Sequence, residues 1–164
     1  MLILRNKICN TALNFAQRGI KIVPFGQNKR PLFNEWPDRA TCDPEVIKMW
    51  WEKAFPCSLI VAPTGHKNGF FVFDVDGDEG LKSLARLEKE NGEFENSYAV
   101  LTPSGGLHLY FLMPEGRIVK NSASLIAPNI DIRGDGGGII LPGSIRTDGE
   151  YKIIKDWRNL LCKN

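Results

Sequence analysis

The stretch Phe70-Phe71-Val72-Phe73-Asp74-Val75-Asp76-Gly77 constrains this chain more than any other. Its aromatic and β-branched run reads as a buried central strand. Side chains alternate between the faces of a strand, so Asp74 and Asp76 share one face, roughly 6–7 Å apart by the strand rise. Two carboxylates held that close at a strand end repel each other and lose stability unless a cation lies between them. A divalent metal site is the economical expectation. The bland alternative is a structural one, because a single Asp at a strand end is commonly a turn residue or a cap, and Asp78 can cap the helix that follows. A calcium loop opening at Asp74 would need glycine at its sixth position and glutamate at its twelfth, where this chain has Glu79 and Ala85. A phosphatase-like strand ending in Asp-x-Asp stays open.

At 164 residues the chain can bury a core as one domain spanning 1–164. Its net charge of +2 neither demands nucleic acid nor excludes it, since a groove can be basic while the whole is balanced. No apolar run approaches a membrane span, and Met1-Leu2-Ile3-Leu4-Arg5-Asn6-Lys7 turns polar too soon for a signal peptide. A cytoplasmic protein with no membrane partner is expected. Cys9, Cys42, Cys57 and Cys162 form no Cys-x-x-Cys pair, which argues against zinc and for reduced thiols. His66 and His108 are the only histidines, so a His-rich metal cage is excluded.

Helical spacing of Ile8, Ala12, Phe15 and Ala16 predicts a helix over 7–18, closed by Gly19. A strand over 20–25 leads into a loop carrying Lys29 and Arg30, paired cations that are ordinarily just solvated. Asp43 as N-cap and Pro44 at the first helical position start a helix to Ala54, with Trp50 and Trp51 on its apolar side. A strand over 58–62 follows, then a turn that puts His66 at a loop tip. Leu81, Leu84, Ala85 and Leu87 predict a helix over 79–90, ended by Asn91-Gly92. Strands over 98–101 and 107–112 form a hairpin around Thr102-Pro103-Ser104-Gly105-Gly106. His108 is, by default, a satisfied strand histidine. Just beyond that turn it can also grip an anion, beside Ser104 and the N–H groups of Gly105 and Gly106. In Asn129-Ile130-Asp131-Ile132-Arg133-Gly134 the isoleucines face one way and Asp131 and Arg133 the other, as a salt bridge or as part of a site. The last strand is expected over 151–154.

Asp74 and Asp76, then Ser104 to His108, then Asp131 and Arg133 thus form three strand-borne groups. Three carboxylates can hold two divalent ions about 3.5–4 Å apart, the spacing that clamps the attacking and leaving oxygens in phosphoryl or nucleotidyl transfer. Oxygen ligands suit Mg2+ or Mn2+, and the neighbouring Ser, glycines, His and Arg suit a triphosphate.

With these motifs, the chain resembles the N-terminal primase–polymerase domain of bifunctional DNA primase/polymerases, members of the archaeo-eukaryotic primase superfamily found in plasmids, phages and integrated elements. The resemblance runs from the first helix to about Tyr151. It takes in Lys29-Arg30-Pro31, the Asp43-Pro44 helix with its tryptophans, Phe73-Asp74-Val75-Asp76 and Thr102-Pro103-Ser104-Gly105-Gly106-Leu107-His108-Leu109-Tyr110-Phe111. It continues through Asp131-Ile132-Arg133-Gly134-Asp135-Gly136-Gly137 to Pro142-Gly143-Ser144. It implies an α+β fold with an RNA-recognition-motif-like sheet module and flanking helices. Asp74, Asp76 and Asp131 would be ligands to Mg2+ or Mn2+. His108 would contact the nucleotide's phosphates with Ser104, Gly105 and Gly106, and Arg133 would touch the triphosphate. Lys29 and Arg30 are further candidates for phosphate of nucleotide or template. The implied activity is two-metal addition of nucleotides to a primer 3′-hydroxyl on a single-stranded or primed DNA template, with release of pyrophosphate. A nucleotide-binding module without catalysis and a metal-dependent phosphohydrolase or nuclease are the alternatives. One departure is Ile60, where relatives often carry a glycine. Relatives commonly continue into a helical domain and a helicase, so with the chain ending at Asn164 template-dependent extension is expected before de novo priming.

Overall fold

The computed structural model describes residues 2–96 and 98–154. The fold is α+β, and its centre is β3 (Phe70–Val75). On one side β3 pairs antiparallel with β5 (Leu107–Leu112), and on the other with β7 (Ile130–Arg133). β4 (Tyr98–Leu101) and the edge strand β11 (Lys152–Ile154) continue the sheet beyond β5, and β6 (Ser122–Ala127) closes it beyond β7, giving the order β11-β4-β5-β3-β7-β6. A second, three-stranded sheet is built from β1 (Val23–Phe25), β2 (Leu59–Pro63) and β8 (Gly138–Ile140). The short strands β9 (Ile145–Arg146) and β10 (Gly149–Glu150) pair as a hairpin.

Alternation along β3 divides the interior. Phe71, Phe73 and Val75 pack with Leu107, Leu109, Phe111 and Ile130 beneath α4 (Gly77–Asn91), which adds Leu81, Leu84 and Leu87. The Phe73 and Phe111 rings lie 4.7 Å apart, and Phe94 closes edge-on to Phe73 at 5.6 Å. Val72, Val100 and Tyr110 on the opposite face meet α1 (Leu2–Gln17) through Ile8, Ala12 and Ala16. That core also takes Ile47, Trp50 and Trp51.

The helix expected from Pro44 to Ala54 is two pieces. Asp43 caps α3 (Pro44–Lys48; a four-residue helix, α2, Trp36–Arg39, precedes it) by accepting from the Glu45 and Val46 N–H groups. A π-helical turn, Met49–Ala54, follows, closed by the Phe55 N–H on Trp50 O. Two consecutive indoles must both be buried here, and the wider turn accommodates them at 6.0 Å. The first strand is shorter than expected because Asn68 takes the Lys21 N–H and carbonyl, leaving Val23–Phe25 to pair. Ile60 is fully buried in the α1-side core and does not line the cleft, whose β2 residue is its neighbour Val61. Among the described residues no helix is long and apolar enough to cross a membrane. Cys162 lies outside the described residues.

Candidate active site

The strand register puts three of the expected side chains in one row. Asp74 stands directly opposite His108 on β5 and Asp131 on β7, so all three share a face. Two residues along, Arg133 stands opposite Val72. From there its guanidinium reaches back to Asp74 Oδ2, with Nε at 3.1 Å and Nη2 at 2.9 Å, and Nη2 also lies 3.0 Å from Asp131 Oδ2. Asp74 Oδ1 faces His108 Nε2 at 3.4 Å. Burial raises the pKa of Asp74, but the hydrogen bond and charge of His108, followed by Arg133, outweigh it and hold the carboxyl below the ordinary Asp value.

His108 is buried, its ring 5.4 Å from that of Tyr151, and its Nδ1 has no hydrogen-bond partner among the described residues.

Asp76 lies beyond the end of β3 at the N-cap position of α4, yet its side chain makes no capping bond. Expected as a strand-face partner of Asp74, it instead leaves the ladder and lines the same cleft. Burial and the like charges of Asp74 and Asp131 push its pKa up, against the pull of Lys29 and Arg133.

The cleft, about 280 Å³, opens between the two sheets, with Val61 and Ile139 on one wall and Asp74, Asp76, His108 and Arg133 on the other. Lys29 reaches its rim, on a loop that Gln27 fastens by donating to Cys57 O and Ile145 O. Lys29 itself is left-handed, with φ 62°. Arg30, the other half of the cation pair, is exposed and does not line the cleft.

Ser104 lines the cleft, but the expectation that Gly105 and Gly106 offer N–H groups to a phosphate meets a different geometry. The Gly105 N–H donates to Thr102 O and the Gly106 N–H to Thr102 Oγ1, each at 3.0 Å. Gly106 is needed for close packing, because a Cβ there would lie 2.3 Å from Val75 O. Gly105, at φ 84°, makes the turn. His66, on its expected loop, is tied to Asp135 rather than to the cleft, with Nδ1 at 2.9 Å from Oδ1. Tyr151 and Thr102 line the cleft without having been singled out. Thr102 stands within the turn motif, whereas nothing local to Tyr151 points to it.

The donor chemistry suits a hard divalent cation: Asp74 and Asp76 line the cleft, Asp131 stands beside Asp74 and meets it through the Arg133 guanidinium, and burial together with the two neighbouring acids pushes Asp76 toward protonation. Their arrangement is that of an ion-pair network, and among the described residues no group of three His, Cys, Asp or Glu side chains is set as a metal cage. A cation would therefore have to displace Arg133 from Asp74 and Asp131.

Comparison with curated proteins gives no match. The family model described as "Bifunctional DNA primase/polymerase, N-terminal" matches residues 12–161, which include every side chain of the cleft. At the family level this carries primase/polymerase-type nucleotidyl transfer, with DNA and nucleotides as substrates. With the match spanning nearly its whole length, the chain belongs to the bifunctional DNA primase/polymerase N-terminal family.

Proposed function

We propose that residues 1–164 act as one catalytic domain that extends a primer 3′-hydroxyl on a single-stranded or primed DNA template. Each step adds a nucleotide from a nucleoside triphosphate and releases pyrophosphate. The observation that carries this reading is the row His108, Asp74, Asp131 across three strands, with Arg133 between the carboxylates and Asp76 beside them.

Asp74, Asp76 and Asp131 would hold Mg2+ or Mn2+, which when bound supplies activation of the 3′-hydroxyl and neutralisation of the leaving pyrophosphate. Once its two carboxylates are otherwise occupied, Arg133 is free to offer its planar fork to the triphosphate. Ser104, exposed at the rim, donates a hydroxyl hydrogen bond to phosphate. Gly105 and Gly106 serve by shape, keeping the turn low beside the nucleotide. His108 lines the cleft with Nε2 facing Asp74 Oδ1 at 3.4 Å, so phosphate reaches it only when that contact is exchanged. Lys29 at the rim meets phosphate of nucleotide or template, with Arg30 outside as a weaker template contact, and binding falls steeply with salt. The setting is cytoplasmic, on plasmid, phage or prophage DNA, with a helicase segment or protein opening the template.

Primer extension on a primed single-stranded template, with Mg2+ or Mn2+, tests this. Template-dependent extension abolished by Asp74→Ala and by Asp131→Ala is the expected result. Nucleotide binding without extension would replace it with a binding module. Phosphate release or DNA cleavage in the absence of a primer would replace it with a phosphohydrolase or nuclease.

A further inference from the structure

The β6–β7 hairpin carries two non-glycine residues in the left-handed region, Ser124 at φ 48° and Asn129 at φ 58°. Both are exposed and neither packs a core, so burial does not account for their conformation. The ladder breaks at the first of them: Ser122 pairs with Ile132 and Ala127 with Ile130, leaving the residues between as a bulge. Bulges of this kind re-aim groups at sheet edges. Here the Ser124 N–H turns inward and donates to Asp131 Oδ1 at 3.0 Å, the oxygen that Arg133 does not hold.

The second left-handed residue is joined to the first. The Asn129 N–H donates to Ser124 Oγ at 3.2 Å, and Asn129 O accepts the backbone N–H of Asp76 at 2.9 Å. One continuous path therefore runs from the backbone of Asp76 through Asn129 and Ser124 to the carboxylate of Asp131. α4 presses on the same carbonyl, since a Cβ at Gly80 would lie 2.7 Å from Asn129 O.

We infer that Ser124 and Asn129 are positioning residues that set the orientation of Asp131 and the placement of Asp76 for the divalent cation, an inference that rests on the reading proposed above. Neither residue lines the cleft. Ser124 works through a backbone N–H whose direction depends on its left-handed φ, and Asn129 through its carbonyl. Hydrogen bonds that orient a metal-binding carboxylate commonly matter about 10–100-fold in metal affinity.

Valine is strongly disfavoured at positive φ, whereas glycine adopts it freely and keeps the N–H. Titration of the metal-free protein with Mn2+, read by electron paramagnetic resonance, is expected to show Ser124→Val binding at least about 10-fold more weakly than wild type. Ser124→Gly should stay within about threefold, and thermal unfolding should show the same melting temperature for both. Should Ser124→Val melt early, the pair Asn129→Val and Asn129→Gly poses the same question with the same expected contrast. Wild-type affinity in the valine variants, or equal loss in the glycine variants, overturns the inference while leaving the metal site intact. Asp131→Ala serves as the control: wild-type Mn2+ affinity in that variant overturns the metal site itself, and this inference with it.

Discussion

Phe71, Phe73 and Val75 face α4 from β3, while Asp74 on the opposite face, beyond the Val72 packed under α1, faces the cleft, and the α4 cluster and the cleft are held by different physics. The α4 face is a cluster of overlapping rings, Phe71, Phe73, Phe94 and Phe111, in which each member has several apolar neighbours. Its energy is spread out and insensitive to the exact position of any atom. The cleft face concentrates charge, with one guanidinium serving two carboxylates and one imidazole serving the first of them. Losing a ring should weaken the fold and spare the chemistry; losing a charge should do the reverse. A strand with period two can carry both duties because its faces are separate, and a one-residue slip would exchange them.

The largest expected effect is on chemistry. Asp74→Ala should lower extension activity by about 10³-fold or more, the loss of roughly 4 kcal/mol of transition-state stabilisation, with the far-ultraviolet circular dichroism spectrum unchanged. A folded Asp74→Ala protein that extends primers at the wild-type rate would break the contrast between the faces. Next comes Phe111→Ala on the α4 face, expected to cost about 3–5 kcal/mol in urea unfolding. Its turnover per folded molecule should stay close to wild type at low denaturant. Arg133→Met should raise the KM for the nucleoside triphosphate about 10-fold, the effect of a lost charge-assisted contact. The same change should strengthen Mn2+ binding, because Asp74 and Asp131 then have no guanidinium to exchange, and weaker Mn2+ binding would contradict that competition.

The smallest effect concerns two carboxylates of the same cleft that respond to pH with opposite sign. Asp74 has a depressed folded pKa, so its contribution is full above its unfolded value near 3.9 and is lost as pH falls through the folded one. Asp76 has a raised folded pKa, so its ionisation on passing upward through that value weakens the fold. Asp76→Asn should therefore be slightly more stable than wild type at pH 7, and the advantage should fade as pH falls through the folded pKa of Asp76 and vanish below the unfolded value near 3.9. Asp76 is exposed and screened, which keeps the gain under about 1 kcal/mol. Calorimetric melting of both proteins between pH 3 and pH 7 measures it, and a variant less stable at pH 7 would reverse the assigned sign.

Much of the fold was legible because its signals are local. Asp43-Pro44 marks a helix start, Gly19 and Asn91-Gly92 mark helix ends, and Thr102-Pro103-Ser104-Gly105-Gly106 marks the corner of a hairpin, each through the conformational preferences of a few adjacent residues. The edge strand β6 was not anticipated, because Ser122–Ala127 is exposed on most of its length and shows no clean alternation. Asp76 was expected to share a strand face with Asp74, but the strand ends one residue earlier and Gly77, at φ 58°, turns the chain into α4. The phosphate role expected of the Gly105 and Gly106 N–H groups rests on their place in the hairpin turn beside Ser104 and His108. Whether an N–H is free depends on where the Thr102 hydroxyl and carbonyl lie.

By itself the sequence determined the alternation that puts Asp74 on the opposite face from Phe73, the pairing of Asp131 with Arg133 on one face, and the mixed helix and strand content. These follow from geometry within a single element, where spacing along the chain is spacing in space. Only the tertiary structure decided that His108, Asp74 and Asp131 stand in one row, that Arg133 bridges two acids 57 residues apart in sequence (131 − 74), and that Lys29 reaches the cleft while Arg30 does not. Register between strands is set by the packing of both sheet faces at once. No local stretch encodes which residue of β5 or β7 will stand opposite Asp74. The bulge at Ser124 belongs with these, since a left-handed serine is paid for only by partners the folded chain brings to it.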